Sequence, residues 1–396
     1  MNKMTVRDID VAGKRVLARV DFNVPLDPVT GTITDDSRIR AALPTIKYLL
    51  ERNAKVILMS HLGRPKGKVV DGLRLAPVAR RIAEILGKKI NTVPDCIGTE
   101  AEKAVAALKP GDVLMLENLR FHTEEEKGDE GFAKALARLG DVYVNDAFGT
   151  SHRAHASMYG ITRYLPSVAG FLLEKEINTL GGLLESPEHP FVALFGGAKV
   201  SDKVAVLKNI MGKVDLLLIG GGMAATFLKA KSFGVGKSKV EAETISIASE
   251  LMQAAEINGS RFLLPLDVMV ADEIDIGVLG NIVTIDAVPP HMTIVDIGPA
   301  TIELFSQALE RSRTVFWNGP MGVEEIPQFA GGTHALAKLM PQLKAKTIIG
   351  GGSTAEVITA LGLEDEVTFV STGGGASLEF LGGGNLPGVV ALRDKI

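Results

Sequence analysis

Short apolar or β-branched runs alternate along the chain with segments whose apolar positions recur every three to four residues. Runs at 15–22, 55–60, 112–117 and 141–145 predict strands, and the segments 37–52, 75–86, 99–108 and 130–139 between them predict helices. The second half repeats the alternation, with predicted strands at 191–195, 215–219, 261–264, 314–317, 347–349 and 367–370. Strands that alternate with helices build parallel sheets covered on both faces. The expected fold is therefore α/β, with two doubly wound parallel-sheet lobes. A polar helical segment at 172–184, followed by Ser186-Pro187, predicts a hinge helix over 171–186 between a first lobe at 1–170 and a second beginning at 187.

Composition narrows the classes. At 396 residues the chain is long enough for two cores, and 46% hydrophobic with 23% charged residues is a globular balance. A net charge of −4 argues against whole-chain attraction to nucleic acid or an anionic membrane. One cysteine, Cys96, excludes a disulfide framework and a thiolate metal cluster. With no apolar run near the roughly 20 residues of a membrane span, a soluble cytoplasmic protein is expected.

Charge and glycine divide unevenly. Residues 1–180 hold 14 of 18 arginines, whereas residues 181–396 hold 29 of 43 glycines. Arginine grips carboxylates and phosphates with a planar fork of donors. Glycine at a strand-to-helix turn lets backbone N–H groups approach a phosphate. An anion-gripping lobe and a phosphate-cradling lobe follow.

In the second half, Phe195-Gly196-Gly197-Ala198-Lys199, Ile219-Gly220-Gly221-Gly222-Met223, Ile349-Gly350-Gly351-Gly352-Ser353 and Thr372-Gly373-Gly374-Gly375-Ala376 each end a predicted strand. In a parallel sheet such turns share the carboxyl edge, where ligands bind. Lys199 and Lys203, spaced i and i+4, are expected on one helix face beside the first turn. Gly220-x-Gly222-x-x-Ala225 also fits a dinucleotide fingerprint, with Glu241 near the spacing of a ribose ligand; a dehydrogenase is the alternative this supports. Gly234-Val235-Gly236-Lys237-Ser238 lacks the first glycine of a P-loop and reads as a surface loop.

In the first half, Asp21-Phe22-Asn23, His61-Leu62-Gly63-Arg64, Arg120-Phe121-His122 and His152-Arg153 follow predicted strands, while Ser37-Arg38 opens a helix. Arg38, Arg64, Arg120 and Arg153 are expected to converge. Four such charges need an anion, most simply a phosphorylated carboxylic acid. Glu124-Glu125-Glu126 reads as a solvated charged segment, and His152 with His155 as structural or phosphate-contacting side chains, not metal ligands.

Arg19-Val20-Asp21-Phe22-Asn23-Val24-Pro25 resembles a signature of the phosphoglycerate kinase family. The resemblance continues through Ser60-His61-Leu62-Gly63-Arg64-Pro65, Glu117-Asn118-Leu119-Arg120-Phe121, Asp146-Ala147-Phe148-Gly149-Thr150, Gly196-Gly197-Ala198-Lys199-Val200, Trp317-Asn318-Gly319-Pro320 and Ser371–Ser377, spanning nearly the whole chain. It implies reversible phosphoryl transfer between 1,3-bisphosphoglycerate and ADP, giving 3-phosphoglycerate and ATP with Mg²⁺. It implies Asp21, Phe22, Asn23, Arg38, His61, Leu62, Gly63, Arg64, Arg120 and Arg153 on the phosphoglycerate side. On the nucleotide side it implies Lys203, Gly351, Gly352, Ser353 and Thr354, with Glu325 on the ribose. It further implies a monomer whose lobes close on their substrates, a nucleotide lobe at 187–378, and a C-terminal segment at 379–396 that returns to the first lobe.

The chemistry needs no general base, because the attacking carboxylate is already ionised. Charge neutralisation is expected from Arg38, Lys199, Lys203 and the backbone N–H groups of Gly373, Gly374 and Gly375. Two positions depart from the family's usual pattern. Ser353 stands where it has an aspartate near the nucleotide's metal, and Glu324 where it has phenylalanine. The first predicts weaker metal–nucleotide affinity, because a hydroxyl is a poorer Mg²⁺ partner than a carboxylate. The second adds negative charge beside the nucleotide. A nucleotide-binding module without turnover is the other alternative these departures keep open.

Overall fold

The computed structural model describes residues 2–395. The chain divides into two compact units, one ending at Asn178 and resuming at Asn385, the other spanning Thr179–Gly384. The division falls inside the helix Phe171–Glu185.

The first unit is built on strands β1 (Arg15–Val20), β2 (Lys55–Met59), β3 (Asn91–Thr92), β4 (Val113–Met115), β5 (Val142–Asp146) and β6 (Ser167–Ala169). They form one parallel sheet in the order β3-β4-β2-β1-β5-β6. Every residue of β5 is buried, as are the last five of β1 and the last four of β2, which is why these runs are continuously apolar rather than alternating. The sheet's order reverses at β1, which lies between β2 and β5. A crevice opens at such a switch point, beyond the carboxyl ends of the strands. Two-residue β3 and three-residue β6 are too short to leave a periodic signal, and the sequence reading passed over both.

The chain from Asn385 onward belongs to this unit. The Gly388 N–H donates to the Ser151 carbonyl at 2.9 Å, Asn145 Nδ2 to the Gly388 carbonyl at 2.8 Å, and the Arg393 N–H to Ser167 at 3.1 Å.

The second unit contains β7 (Phe191–Phe195), β8 (Leu216–Ile219), β9 (Arg261–Leu263), β10 (Asp267–Ala271), β11 (Asn281–Thr284), β12 (Thr293–Ile297), β13 (Thr314–Asn318), β14 (Lys346–Gly350) and β15 (Phe369–Val370). A parallel sheet runs β15-β14-β13-β7-β8-β9. Its core joins Val192, Leu194, Phe305, Trp317 and Ile349. An antiparallel sheet, β11-β10-β12, is absent from the sequence reading. Its strands are four or five residues long, separated by Gly, Pro and Asp, and its small core gathers Ala271, Val295, Ile326 and Phe329.

Asp146, the last residue of β5, ties that strand to the helix Phe171–Glu185. Its Oδ1 accepts from the Leu172 and Leu173 N–H groups at 2.9 and 3.1 Å. Burial pushes its pKa up to about 7, against the hydrogen bonds that favour the charged form. A carboxyl raised on folding binds more protons in the native than in the unfolded state between pH 4 and 7, so this group's contribution to stability falls as pH rises through that window. At about 1.4 kcal/mol per pKa unit the loss amounts to a few kcal/mol by pH 8. Asp146→Asn flattens the dependence. Denaturant midpoints of parent and variant between pH 4.5 and 8 check this; parallel profiles would exclude it.

Candidate functional site

In the first unit the polar residues gather where β1, β2 and β4 end. Arg38, in the first turn of the helix Ser37–Glu51, places its guanidinium 3.3 Å from Asp21 Oδ1. Asn23 Oδ1 accepts from the Gly63 N–H at 2.8 Å, and Arg120 donates to the Gly63 carbonyl at 2.8 Å. The loop carrying His61, Leu62 and Gly63 is thus clamped from both sides. Asn118, fully buried, completes the clamp by bonding both the N–H and the carbonyl of Leu62. Phe22 and Leu62 lie in the hydrophobic core, so only their backbones border the crevice.

Arg19 is fully buried. It donates to Ser157 Oγ at 3.1 Å, to the Val20 carbonyl and to His61 Nδ1 at 3.1 Å. A guanidinium only donates, so Nδ1 is the acceptor and the His61 proton sits on Nε2. Burial, reinforced by Arg19, Arg120 and Arg38, drives the His61 pKa well below its ordinary value against the pull of Asp21. His61 is therefore a neutral donor at physiological pH. His155 is also neutral, its pKa lowered to about 3 by burial and by Arg19, Arg120 and Arg153. Burial opposes the Asp21 carboxylate, yet Arg38 and Arg19 hold its pKa below the usual range.

Three of the four expected arginines therefore share one electrostatic neighbourhood. Arg120 feels Arg153 and Arg19 as like charges, and Arg38 acts on the same His61 as Arg19 and Arg120. Arg64 is exposed and takes part in none of these pairings. The guanidinium that joins the other three is Arg19, which the sequence reading placed in a motif without a role. Its strand position, pointing away from solvent in a continuous apolar run, is the signal that marks it. The acidic run also needs correcting. Glu125 is wholly buried and accepts from the Ser157 N–H at 2.9 Å and from Ser157 Oγ at 2.5 Å, so Glu124-Glu125-Glu126 is not simply solvated. Burial raises the Glu125 pKa even with Arg19 nearby.

In the second unit the four glycine turns separate into two kinds. A Cβ on Gly196 would stand 2.0 Å from the Pro320 carbonyl oxygen, and one on Gly221 2.5 Å from the Gly197 nitrogen. The Gly197 N–H donates to Pro320 and the Gly221 N–H to Met321, at 2.8 and 2.9 Å. These glycines permit backbone to pack on backbone, and the Gly220 and Gly221 amides are engaged within the protein. Glu241 accepts from the Ser201 N–H and Oγ at 3.0 and 2.6 Å. The dinucleotide fingerprint at this turn thus has a structural cause.

The other two turns are open. Added Cβ atoms on Gly352, Gly374 and Gly375 would meet nothing within 4 Å, and Gly352 and Ser353 are exposed. Gly351 has φ +91° and precedes the helix Gly352–Ala360. The Thr354 hydroxyl is buried and accepts from the Gly319 N–H at 2.7 Å, so it braces the turn. Gly373 donates its N–H to Ser371 Oγ at 3.1 Å.

Lys199 and Lys203 do not share a helix face. Lys199 is exposed in the loop after Gly197, and Lys203 closes the short turn Ser201–Lys203 ahead of the helix Val204–Ile210. The turn glycines extend the loop and delay the helix beyond both lysines. Lys203 is buried, which lowers its pKa, and its Nζ lies 3.5 Å from where a Gly197 Cβ would stand. Asn318, at the end of β13, was also passed over. Its Nδ2 is buried without a partner and lies 2.8 Å from the Cβ position of Gly351. Glu325 is exposed, and half-buried Glu324 beside it has its pKa raised by burial and by Glu325.

The family model described as Phosphoglycerate kinase matches residues 6–384. The chain belongs to the phosphoglycerate kinase family. Phosphoglycerate kinase of Moorella thermoacetica is 56% identical over 395 residues, covering 100% of both chains, and that of Dictyoglomus turgidum 56% over 393 residues, covering 99% and 98%. The phosphoglycerate kinase structure from Coxiella burnetii superposes with a TM-score of 0.87 at 40% identity, covering 98% of each chain. That from Pyrococcus horikoshii gives 0.83 at 35% identity, with the same coverage. Membership of this family makes the chain a glycolytic phosphotransferase, and the dehydrogenase alternative falls. Phosphoglycerate kinases use ATP with a metal ion, and the oxygen donors of Ser353, Glu324 and Glu325 near the open turn suit a hard cation. No helix among the described residues is long and apolar enough to cross a membrane.

Proposed function

We propose that the acceptor acid binds the first unit and the nucleotide the second, with the following division of labour. Arg38, Arg120 and Arg153 hold the phosphate and carboxylate of 3-phosphoglycerate or 1,3-bisphosphoglycerate. Asp21, Asn23 and the loop His61–Gly63 orient its remaining polar groups, with exposed Arg64 at the rim. The observation that carries this reading is the guanidinium cluster around a neutral His61, which favours a dianionic ligand. The open turn Gly351–Thr354 receives the nucleotide phosphates at the start of the helix Gly352–Ala360, and Glu325 takes the ribose hydroxyls.

ATP or ADP binds with Mg²⁺, whose charge would offset the phosphates. Transfer is in line and forms no covalent intermediate, because the attacking carboxylate is ionised and needs no base. Arg38 on the acceptor side, Lys199 and Lys203 on the donor side, and the backbone N–H groups of Gly374 and Gly375 neutralise the transferring group, the Gly373 N–H being taken by Ser371 Oγ. The reading includes closure of the lobes on their substrates, which excludes water from the transfer. The reading includes a cytoplasmic monomer with neither nucleic-acid nor membrane partners.

The decisive test is ADP release from Mg-ATP with the acyl phosphate removed by a coupling enzyme. Turnover that depends on 3-phosphoglycerate and saturates with it supports the assignment. ATP hydrolysis indifferent to 3-phosphoglycerate would overturn it.

A further inference from the structure

Beside β3, the edge strand of the first unit, three side chains with metal-ligating atoms converge. Asp95 and Cys96 lie in the loop between β3 and the helix Thr99–Ala106, and His122 closes the turn Leu119–Phe121. A carboxylate oxygen of Asp95, the Cys96 Sγ and a ring nitrogen of His122 all lie within 4.8 Å of one another. The closest pair is His122 Nε2 and Asp95 Oδ1 at 2.7 Å, where the ring N–H donates to the carboxylate. None of the three has a part in the acceptor or nucleotide assignments above.

The structure holds these groups in place. The Cys96 N–H donates to Asp95 Oδ1 at 2.6 Å, which fixes the carboxylate. The His122 ring lies against the buried ring of Phe132, with centroids 5.2 Å apart. Cys96 is 0% exposed, whereas the side chains of His122 and Asp95 are 26% and 47% exposed. The thiol thus forms a floor, and the imidazole and carboxylate form a rim toward solvent. That side gives a cation its entry and a water its place as fourth ligand.

The donor set selects the cation. Mg²⁺ and Ca²⁺ take oxygen ligands, whereas thiolate, imidazole and carboxylate together suit zinc. A tetrahedral zinc ion with ordinary bond lengths sets its ligand atoms about 3.3–3.6 Å apart, so side-chain shifts of about 1 Å close the site. One thiolate completed by two other ligand types differs from the several-thiolate cluster that a single cysteine excludes. Burial, reinforced by Asp95, keeps the Cys96 thiol protonated and unreactive, and a cation placed before it reverses that balance.

We propose that Asp95, Cys96 and His122 form a binding site for one zinc-class divalent cation. On binding, Cys96 releases its proton to solvent, and the neutral His122 ring carries its proton on Nδ1 and offers Nε2. A carboxylate oxygen of Asp95 completes the protein ligands. The cation ties the loop before the helix Thr99–Ala106 to the turn that carries Arg120, so occupancy stabilises the first unit.

The test titrates the reduced, nucleotide-free full chain with Zn²⁺ against a chromophoric chelator, and with Co²⁺ as a spectroscopic stand-in. The parent binds one equivalent of Zn²⁺, and its thermal midpoint rises. Co²⁺ gives a thiolate charge-transfer band in the near ultraviolet. Cys96→Ser abolishes that band. Asp95→Asn and His122→Gln each weaken Zn²⁺ binding at least about tenfold, since losing a group merely behind the ligands already costs that much. If Cys96→Ser does not fold, the parent's cobalt band and the two variants at the solvent-facing rim decide. Absence of zinc binding, cobalt bound without a thiolate band, or equal zinc affinity in the parent, Asp95→Asn and His122→Gln overturns the proposal.

Discussion

Replacing Arg38 with alanine lowers turnover by about two to three orders of magnitude, the scale on which a preorganised charge at a reacting group acts, and leaves nucleotide affinity unchanged. Two features of the structure set that expectation. Arg38 makes its ion pair with Asp21 at 3.3 Å, and its side chain is 36% exposed, so the substitution removes little folding energy. Its guanidinium nevertheless acts on buried His61 together with Arg19 and Arg120, which sets it within the same anion-attracting field. Lysine at the same position recovers only part of the activity, since an ammonium lacks the planar fork that grips two oxygens at once. Steady-state kinetics in both directions, with calorimetry of ADP and ATP, check this. Lost nucleotide binding would contradict the assignment. A raised KM with unchanged kcat would make Arg38 a holding group with no share in the transition state.

Arg19→Met is expected to destabilise the first unit by about 3–5 kcal/mol, the usual cost of stranding a buried charge. Arg19 and Glu125 are both fully buried and meet through Ser157, which accepts from the guanidinium and donates to the carboxylate. Methionine fills much of the volume but removes the guanidinium that acts most on buried Glu125, leaving only the weaker pull of Arg120. It also leaves His61 Nδ1 without its donor, freeing the ring to change tautomer. The double variant Arg19→Met with Glu125→Gln recovers a large part of the stability, because the remaining group is neutral, but not the orientation of His61. Denaturant unfolding of the three proteins separates the contributions. A loss under about 1 kcal/mol for Arg19→Met would place the stability of this region in packing and not in the charge relay.

Much of this was legible along the chain, and the reasons differ by element. β1, β2, β5, β7 and β13 were readable because parallel strands buried on both faces are unbroken apolar runs. β10, β11 and β12 were not. Short antiparallel strands with one face on a four-residue core carry too few apolar positions to stand out from loop. At the site, Arg38 and Arg120 could be singled out because they follow strand-end motifs. Arg19 and Asn318 lie at or inside strands, where a polar residue is informative only once its neighbours in space are known.

By itself the sequence determined the α/β class, the two parallel sheets, the membership of the family and the set of polar residues at the strand ends. Those properties depend on periodicity and on residue types at short spacing, which a linear chain displays directly. The tertiary structure decided which of those residues stand open at the strand ends and which serve as braces. It showed that the glycines at 196 and 221 serve close backbone packing, that Lys199 and Lys203 share no helix, and that Glu125 balances buried charge. Burial, proton position and the pairing of distant side chains depend on what surrounds a residue in three dimensions, and only the folded chain supplies those surroundings.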